Sequence, residues 1–349
     1  FFACAILPWN QKHAVLPGFA LWLTWLVGIV LIPGTDGGIV TIFVTVLIVS
    51  IMFLPGVILC ALRTTVLGQN FEQRMLEQSY VAYSRELFDA RKIHEALFPD
   101  PVLDGNIRYV YHDRPRTGIG GDLLHAHFDV TENGNGNTTA TTTTVPENNG
   151  KYKALNLVTV DVGGDGIAAA MTVNRLHGEI ERLYAEQPEI SPDNMITLLN
   201  RYACLTLAPI GIYAVAMCVS VDADGNIQWS GAGHIPALIR RADNSIKDLE
   251  STTWPLGASA ENSPEHCVRT THIKSGDTLV LYTDGACDYR GANGVRLGYQ
   301  GVRNIIGSLN TNTLAGVPDS FFNKIDEYID NEDVVTVQED VLFVVAEIA

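Results

Sequence analysis

The chain has 349 residues, which is enough for two domains of ordinary size. It carries 23 basic and 39 acidic side chains, for a formal net charge of −16. That balance argues against nonspecific nucleic-acid binding, which requires a basic surface. The charge is also unevenly distributed, because residues 1–62 contain one lysine and one aspartate. We therefore expect an apolar leader in front of a strongly acidic soluble body.

Two long uncharged runs form the leader, residues 14–35 and residues 37–62. Each is long enough to cross a hydrocarbon core of ~30 Å as a helix that rises 1.5 Å per residue. We predict a membrane region over residues 1–66, with transmembrane helices at about 14–33 and 39–62. A pair of buried core helices is the alternative, although core helices rarely extend this far without a charge. The chain does not begin with Met, so we expect further sequence upstream.

Basic residues flank the open end of this predicted hairpin. Lys12 precedes the first span, and Arg63 and Arg74 follow the second. By the positive-inside rule, both ends of the hairpin should face the cytoplasm.

Residues 67–99 predict a linker helix. Its apolar side chains recur in alternating steps of four and three, which is the a/d seam of a coiled coil. The seam residues are Leu76, Tyr80, Tyr83, Leu87, Ala90, His94 and Leu97. This spacing fits either a homodimer through the linker or a single amphipathic helix packed on its own domain. Pro99 and Pro101 should end the helix.

The remainder, residues 100–349, reads as short strands interrupted by two helices. One helix is expected over about 167–186, and the second begins at Ser191, an N-cap residue followed by Pro192 at the first helical position. Residues 131–150 hold seven Thr, five Asn and three Gly, so we predict a flexible loop between two strands. The cysteines are scattered without a C-x-x-C pair, which argues against a zinc ribbon.

Acidic residues lie at the ends of apolar strands in this part of the chain. Carboxylates beside glycines, which let the backbone approach an ion, suit a hard cation such as Mg²⁺ or Mn²⁺. Each is an ordinary turn by itself, but four in one domain without a nucleotide-binding loop form a more specific pattern. The segments are Gly120-Gly121-Asp122, residues 161–166, Thr283-Asp284-Gly285 and Glu339-Asp340.

Residues 86–349 resemble the bacterial sporulation stage II protein E family of metal-dependent (PPM-type) serine phosphatases, which includes sigma-factor regulators. The resemblance rests on the four segments above and on further motifs in family order: residues 86–99, 231–236, 255–257, 275–277 and 297–298. It implies an α+β fold, a four-layer αββα sandwich, for residues 100–349. It also implies hydrolysis of phosphoserine or phosphothreonine on a protein substrate, an anti-sigma-factor antagonist.

The resemblance further implies a site for two ions, Mn²⁺ or Mg²⁺, that activate a water molecule. Asp161 would bridge both ions, and the Val162 carbonyl would hold one of them. Asp284 and the first acid of the terminal pair would hold the other, with Asp122 as a further or outer acid. Asp161 and Asp284 are thus the predicted catalytic residues, at the cytoplasmic face of the bacterial inner membrane.

Two departures from the family pattern concern this site. The family usually has Asp-Asp followed two residues later by Thr, whereas this chain reads Glu339-Asp340-Val341-Leu342. Either Glu339 or Asp340 could therefore be the terminal ligand, and a catalytically inactive signalling scaffold is the alternative function. Gly163 and Asp165 stand where Ser and His are common, which we regard as tolerable.

Other polar residues are weaker candidates. His125 and His127 form an H-x-H pair, which we interpret as two strand residues because no Cys or third His accompanies them. His234 could approach a substrate phosphate or have a purely structural role. Arg114 and Arg116 could clamp a phosphate, although a solvated loop is the interpretation we favour.

Overall fold

The computed structural model describes residues 20, 22–25, 27–28, 39–116, 118–130, 151–164, 166–259, 268–291, 294–309, 313–329 and 339–349. Most of the first predicted membrane span and the whole predicted loop 131–150 lie outside these residues. The chain divides into two compact units, Phe1–Glu86 and Leu87–Ala349. The boundaries expected at residues 66 and 99 stay predictions.

Helix α1 covers Ile39–Glu95 and so includes the predicted linker except for its last turn. Within the described part of the chain, we find no helix whose length and apolarity suffice to cross a bilayer. The upper seam residues are exposed, at 68% for Leu76, 71% for Tyr80 and 56% for Tyr83. Lower down, His94 is buried and Leu97 packs against the core of the second unit. The two ends of the seam thus lie in different surroundings.

In the part of the chain that the structure describes, ten strands form two antiparallel five-stranded sheets. The first sheet has the order β1 (Ile107–Arg114), β10 (Val341–Ile348), β9 (Thr278–Tyr282), β6 (Ala237–Arg240) and β7 (Ile246–Leu249). The second has the order β2 (Asp122–Val130), β3 (Tyr152–Val162), β4 (Ala214–Asp222), β5 (Asn226–Ala232) and β8 (Arg269–His272). The predicted α+β fold with two sheets is confirmed.

Helices cover the outer face of each sheet. Helices α2 (Gly166–Glu186) and α3 (Pro192–Thr206) share a core with the second sheet. Helices α4 (Gly285–Asp288), α5 (Gly298–Gly307) and α6 (Val317–Ile329) share a core with the first. A third core lies between the sheets and draws side chains from both. These contacts produce the helix–sheet–sheet–helix layering that the family resemblance implied.

The alternation of β2 separates two environments. Leu124, Ala126 and Phe128 face the core between the sheets, whereas Leu123 faces the helices. Successive side chains of a strand point to opposite faces, so Asp122 shares the first direction and His125 the second. Helix α2 closes the second face because its buried positions recur every three or four residues.

Candidate active site

Strand ends that are far apart in the sequence meet at one edge of the two sheets. Antiparallel pairing places the start of β2 beside the end of β3, and the start of β10 beside the end of β9. A cleft of about 360 Å³ opens there. Its lining residues are Arg116, Asp161, Val162, Gly163, Gly164, Asp284, Glu339 and Asp340. Four of the predicted acidic ligands therefore border one cavity.

Asp122 and Asp161 are directly opposite each other in the β2–β3 pairing. Directly opposed residues of an antiparallel pair have side chains on the same face of the sheet. The pKa of Asp122 is raised well above its ordinary value, first by complete burial and then by the charges of Asp161 and Asp113. Two carboxyl groups held this closely cannot both carry a charge at little cost unless a cation compensates them.

One oxygen of Asp122 is held and the other has no partner. Thr283 donates from Oγ1 to Asp122 Oδ2 over 2.9 Å, and the same hydroxyl accepts the Leu342 N–H over 2.9 Å. Asp122 Oδ1 is buried without a hydrogen-bond partner. A buried carboxylate oxygen without a donor has a free lone pair that an ion or its water can use.

Asp161 and Asp284 form the centre of the acidic cleft. Burial, followed by the neighbouring Asp284 carboxyl, raises the pKa of Asp161 to about 7, and Asp340 and Glu339 act in the same direction. Asp161 is also within hydrogen-bonding reach of the Asp284 carboxyl group. Asp284 itself is exposed, directly before helix α4.

The two terminal acids have different surroundings. Asp340 accepts the backbone N–H of Arg116 at Oδ1 over 2.7 Å and that of Gly121 at Oδ2 over 2.8 Å. A Cβ on Gly120 would lie 2.8 Å from Asp340 Oδ2, so this approach requires glycine. Glu339 is exposed at the cleft. Asp340 thus orders the loop before β2, while Glu339 makes no hydrogen bond of this kind among those described.

The Val162 carbonyl is also closely packed. Its oxygen would lie 2.5 Å from a Cβ on Gly121, and the Val162 N–H donates to the Gly121 carbonyl over 3.1 Å. The Gly120-Gly121 pair therefore admits a side chain on one side and a backbone carbonyl on the other. The geometry brings all six predicted ligands together, and their metal-binding roles stay predictions.

Sequence reasoning missed Asp113 as a member of this cluster. It lies on β1, opposite Leu342 of β10. Burial and then the Asp340 charge raise the pKa of Asp113 to about 7, against the lowering effect of Arg91. Its only sequence signal was an acidic residue on a strand that also carries Arg108, His112 and Arg114, which is too common a pattern to be informative.

The two candidate arginines, Arg114 and Arg116, have different surroundings. Arg114 donates to both oxygens of Asp326, at 2.9 and 3.4 Å, and lies over the Phe322 ring. Arg114 therefore lies on a strand and forms a structural ion pair, and the prediction that it belongs to a solvated loop is wrong. Arg116 is exposed and is the one basic residue among the described residues that line the cleft.

The histidine candidates lie away from the cleft opening or are already bonded. Nδ1 of His234 is 2.8 Å from the Ile235 carbonyl and its Nε2 is 3.4 Å from Thr159 Oγ1, which fits the structural role. His125 and His127 face helix α2, where both rings stack on Tyr184. Their interpretation as two strand residues rests on the absence of a third histidine. That premise is wrong, because His177 lies beside His125.

Residues 151–349 match the family model for stage II sporulation protein E (SpoIIE), which is more than half of the chain. Phosphoserine phosphatase RsbU of Bacillus subtilis (strain 168) is 26% identical over 144 residues, which is 41% of this chain and 42% of RsbU. The match therefore spans less than half the length of that relative.

Solved structures show the same fold. The SiaA-PP2C domain of Pseudomonas aeruginosa superposes with a TM-score of 0.62 at 16% identity, over 78% of this chain and 99% of that domain. The PP2C phosphatase domain of SpoIIE from Bacillus subtilis, solved with a fragment of its regulatory domain, superposes with a TM-score of 0.51 at 17% identity. The superposition covers 71% of this chain and 64% of that one. The two-sheet architecture is thus that of PP2C domains.

Proposed function

Since the chain belongs to the stage II sporulation protein E (SpoIIE) family, we propose that it is a membrane-tethered, metal-dependent protein serine/threonine phosphatase. The homology to RsbU and to PP2C-type domains supports protein serine phosphatase activity. The observation that carries the proposal is the opposition of Asp122 and Asp161 beside Asp284 in one open cleft.

The donor set of the cleft suits two divalent ions with oxygen ligands, Mn²⁺ or Mg²⁺. Asp161, Asp284, Glu339 and the Val162 carbonyl would hold them, with the unpartnered Asp122 Oδ1 behind. Bound there, the ions supply a water molecule of lowered pKa and neutralise charge on the phosphoryl oxygens. Asp340 would position the loop that carries Arg116, since its carboxylate is already bonded to two backbone amides.

The remaining cleft residues would bind and orient the substrate. Arg116 brings a guanidinium group to a cleft otherwise lined by acids and backbone, and guanidinium groups bind phosphate oxygens in a bidentate manner. An open cleft admits a phosphorylated side chain on a protein surface. As substrate we propose a phosphorylated regulatory protein, an anti-sigma-factor antagonist, in keeping with the family.

Leu342 helps to weigh the inactive scaffold against the enzyme. Its side chain is fully buried in the core between the sheets, and its N–H and carbonyl bond Thr283. The replacement of the family's Thr therefore changes the core and leaves the cleft lining as it is. Of the two departures in the terminal segment, Glu339 is the one that lines the cleft, and it keeps the negative charge.

The test measures phosphate release from a phosphoserine protein substrate by the full chain, with Mn²⁺ and after chelation. We expect turnover with Mn²⁺ and none after chelation. Substrate binding without phosphate release in Mn²⁺ would establish the scaffold instead. Phosphate release that persists after complete chelation would contradict the proposed two-ion site.

Membrane attachment and dimerisation belong to the same proposal. The two uncharged runs support attachment to the bacterial inner membrane, with the phosphatase in the cytoplasm. The exposed seam of Leu76, Tyr80 and Tyr83 supports pairing of two linker helices. Oxidation of a Tyr80→Cys variant should cross-link two chains, whereas Gln78→Cys, on another side of the helix, should not. Equal cross-linking of both variants would contradict pairing through the seam.

A further inference from the structure

A cluster of potential ligands lies on the face of β2 that is turned away from the core between the sheets. It consists of His125 on β2 and of His177 and Glu181, one turn apart on helix α2. His125 Nε2 is 3.5 Å from Glu181 Oε1, and His177 Nε2 is 3.7 Å from the same oxygen. All three ligand atoms lie within 4.8 Å of one another.

These separations match those around a small transition-metal ion. Zinc binds histidine nitrogen and carboxylate oxygen at about 2.0–2.2 Å, so two ligands of a tetrahedral ion lie roughly 3.4 Å apart. The two nitrogen–oxygen distances are close to that value. The third separation, between the two imidazole nitrogens, is within 4.8 Å, and rotation of the half-buried His177 ring on its helix can adjust it.

The hydrogen bonding of the cluster is incomplete without a further partner. Apart from the 3.5 Å approach of His125 Nε2 to Glu181, neither ring nitrogen of His125 has a hydrogen-bond partner, although its side chain is 0% exposed, and His177 Nε2 is also buried without one. A buried polar atom without a partner costs about 1–3 kcal/mol. Nothing in the cleft mechanism uses these atoms.

A plain ion pair with Glu181 explains the cluster less well. Burial lowers the pKa of His125 to about 4 and also lowers that of His177, so both imidazoles are neutral at pH 7. Neutral imidazole is the form that binds a metal. One carboxylate and two neutral imidazoles give a donor set that suits zinc.

We propose that His125, His177 and Glu181 bind one transition-metal ion, Zn²⁺ by preference, with a water molecule as fourth ligand. The ion would join strand β2 to helix α2, which begins at Gly166 directly after the Asp161 loop. It would be separate from the two hard ions of the cleft, because His125 and Asp122 lie on opposite faces of β2.

The test uses the full chain, stripped with a chelator and then kept in excess Mg²⁺ to occupy the acidic cleft. Co²⁺ is titrated while the visible d–d absorption is recorded, because nitrogen-rich sites of low coordination number absorb far more strongly than octahedral oxygen sites. Zn²⁺ is then used to displace the Co²⁺. We expect one strongly absorbing equivalent, in the wild type and equally in Asp161→Asn, which disables the cleft.

His177→Gln and Glu181→Gln should each weaken Zn²⁺ binding at least tenfold and reduce the absorption. Glu179→Gln is the matched control on the same helix, since Glu179 pairs with Arg182 instead. Both test residues are partly exposed, so if one of the two variants does not fold, the other still tests the proposal. Absorption that disappears in Asp161→Asn and survives in both helix variants would overturn the proposal, as would the absence of a strongly absorbing equivalent.

Discussion

The acidic cleft and the histidine cluster occupy opposite faces of one strand, and the pKa values of their side chains are shifted in opposite directions. At the cleft, burial and then the charges of neighbouring carboxyl groups raise the pKa values of Asp122, Asp161 and Asp113. In the cluster, burial keeps His125 and His177 neutral, and their pKa values fall. The cleft therefore depends on cations to relieve charge, whereas the cluster holds lone pairs with little charge to relieve. Occupancy should affect activity in the first and helix placement in the second.

The difference between the cleft and the histidine cluster should be clearest in a variant whose cleft lacks its central carboxylate, Asp161. Asp161→Asn should reduce phosphate release by about 10³-fold or more, because several kcal/mol of transition-state stabilisation by the ions depends on this ligand. Turnover by the full chain in Mn²⁺ is the measurement, with the circular dichroism spectrum as a check on folding. Asp243→Asn, in an exposed turn, is the control and should retain activity. A folded Asp161→Asn protein with wild-type turnover would refute the site assignment.

A smaller effect should come from the one arginine described in the cleft lining. Arg116→Ala should raise the KM for the phosphoprotein about tenfold, since a hydrogen bond to a charged group contributes about 1.5–3 kcal/mol. Mn²⁺ affinity should stay unchanged because Asp340 contacts the backbone of Arg116. The control is Arg108→Ala, which removes the ion pair between Arg108 on β1 and Glu347 on β10. An unchanged KM would show that phosphate is bound elsewhere.

The terminal acid offers a more modest test. Glu339→Asp shortens the side chain by one methylene and restores the residue that the family has at this position. We expect Mn²⁺ to bind about fivefold tighter, which corresponds to about 1 kcal/mol. Glu339→Gln keeps the length and removes the charge, so it should bind Mn²⁺ more weakly than the wild type. If both variants bind like the wild type, Glu339 is not a ligand.

The smallest expected effect concerns the carboxyl group of Asp113, whose pKa is raised first by burial and then by the charge of Asp340. Its pKa of about 7 lies above that of an unfolded Asp, so the native state binds the additional proton and loses stability as pH rises through 4 to 7. Asp113→Asn removes this loss. In chelator, its Tm relative to the wild type should be about 3 °C more favourable at pH 8 than at pH 5. The exposed Asp104→Asn serves as the control, and a pH-independent difference would contradict the raised pKa.

The sequence was sufficient for the parts of the site whose ligands lie beside glycines. Asp122, Asp161 and Asp284 each stand at a strand end with glycine next to them or nearby, and the fold brings all three to one edge. The roles of Glu339 and Asp340 could not be distinguished from the sequence, because the difference lies in tertiary contacts. Asp340 accepts the backbone N–H groups of Arg116 and Gly121, which are more than 200 residues away in the sequence.

The histidine cluster shows a second limit. His177 and Glu181 have the four-residue spacing of one helix face, and His125 belongs to an H-x-H pair. Each half is common and uninformative. Their combination depends on helix α2 packing on β2 with a particular rotation, which hydrophobic spacing predicts only coarsely. Likewise Asp113 became visible only when β1 was paired with β10.

The register of β2 on β3 also determines where the chain can change its length. Residues 122–129 are paired in strict one-to-one order, and the irregularity falls between Asp129 and Val130, at the far end from the cleft. A single deletion between Asp122 and His125 would put both residues on the same face of β2, so one of the two ligand sets would lose a member. Additions between Val130 and Lys151 would leave every pairing toward the cleft intact. This position is therefore suited to the insertion of a fluorescent reporter or an affinity tag.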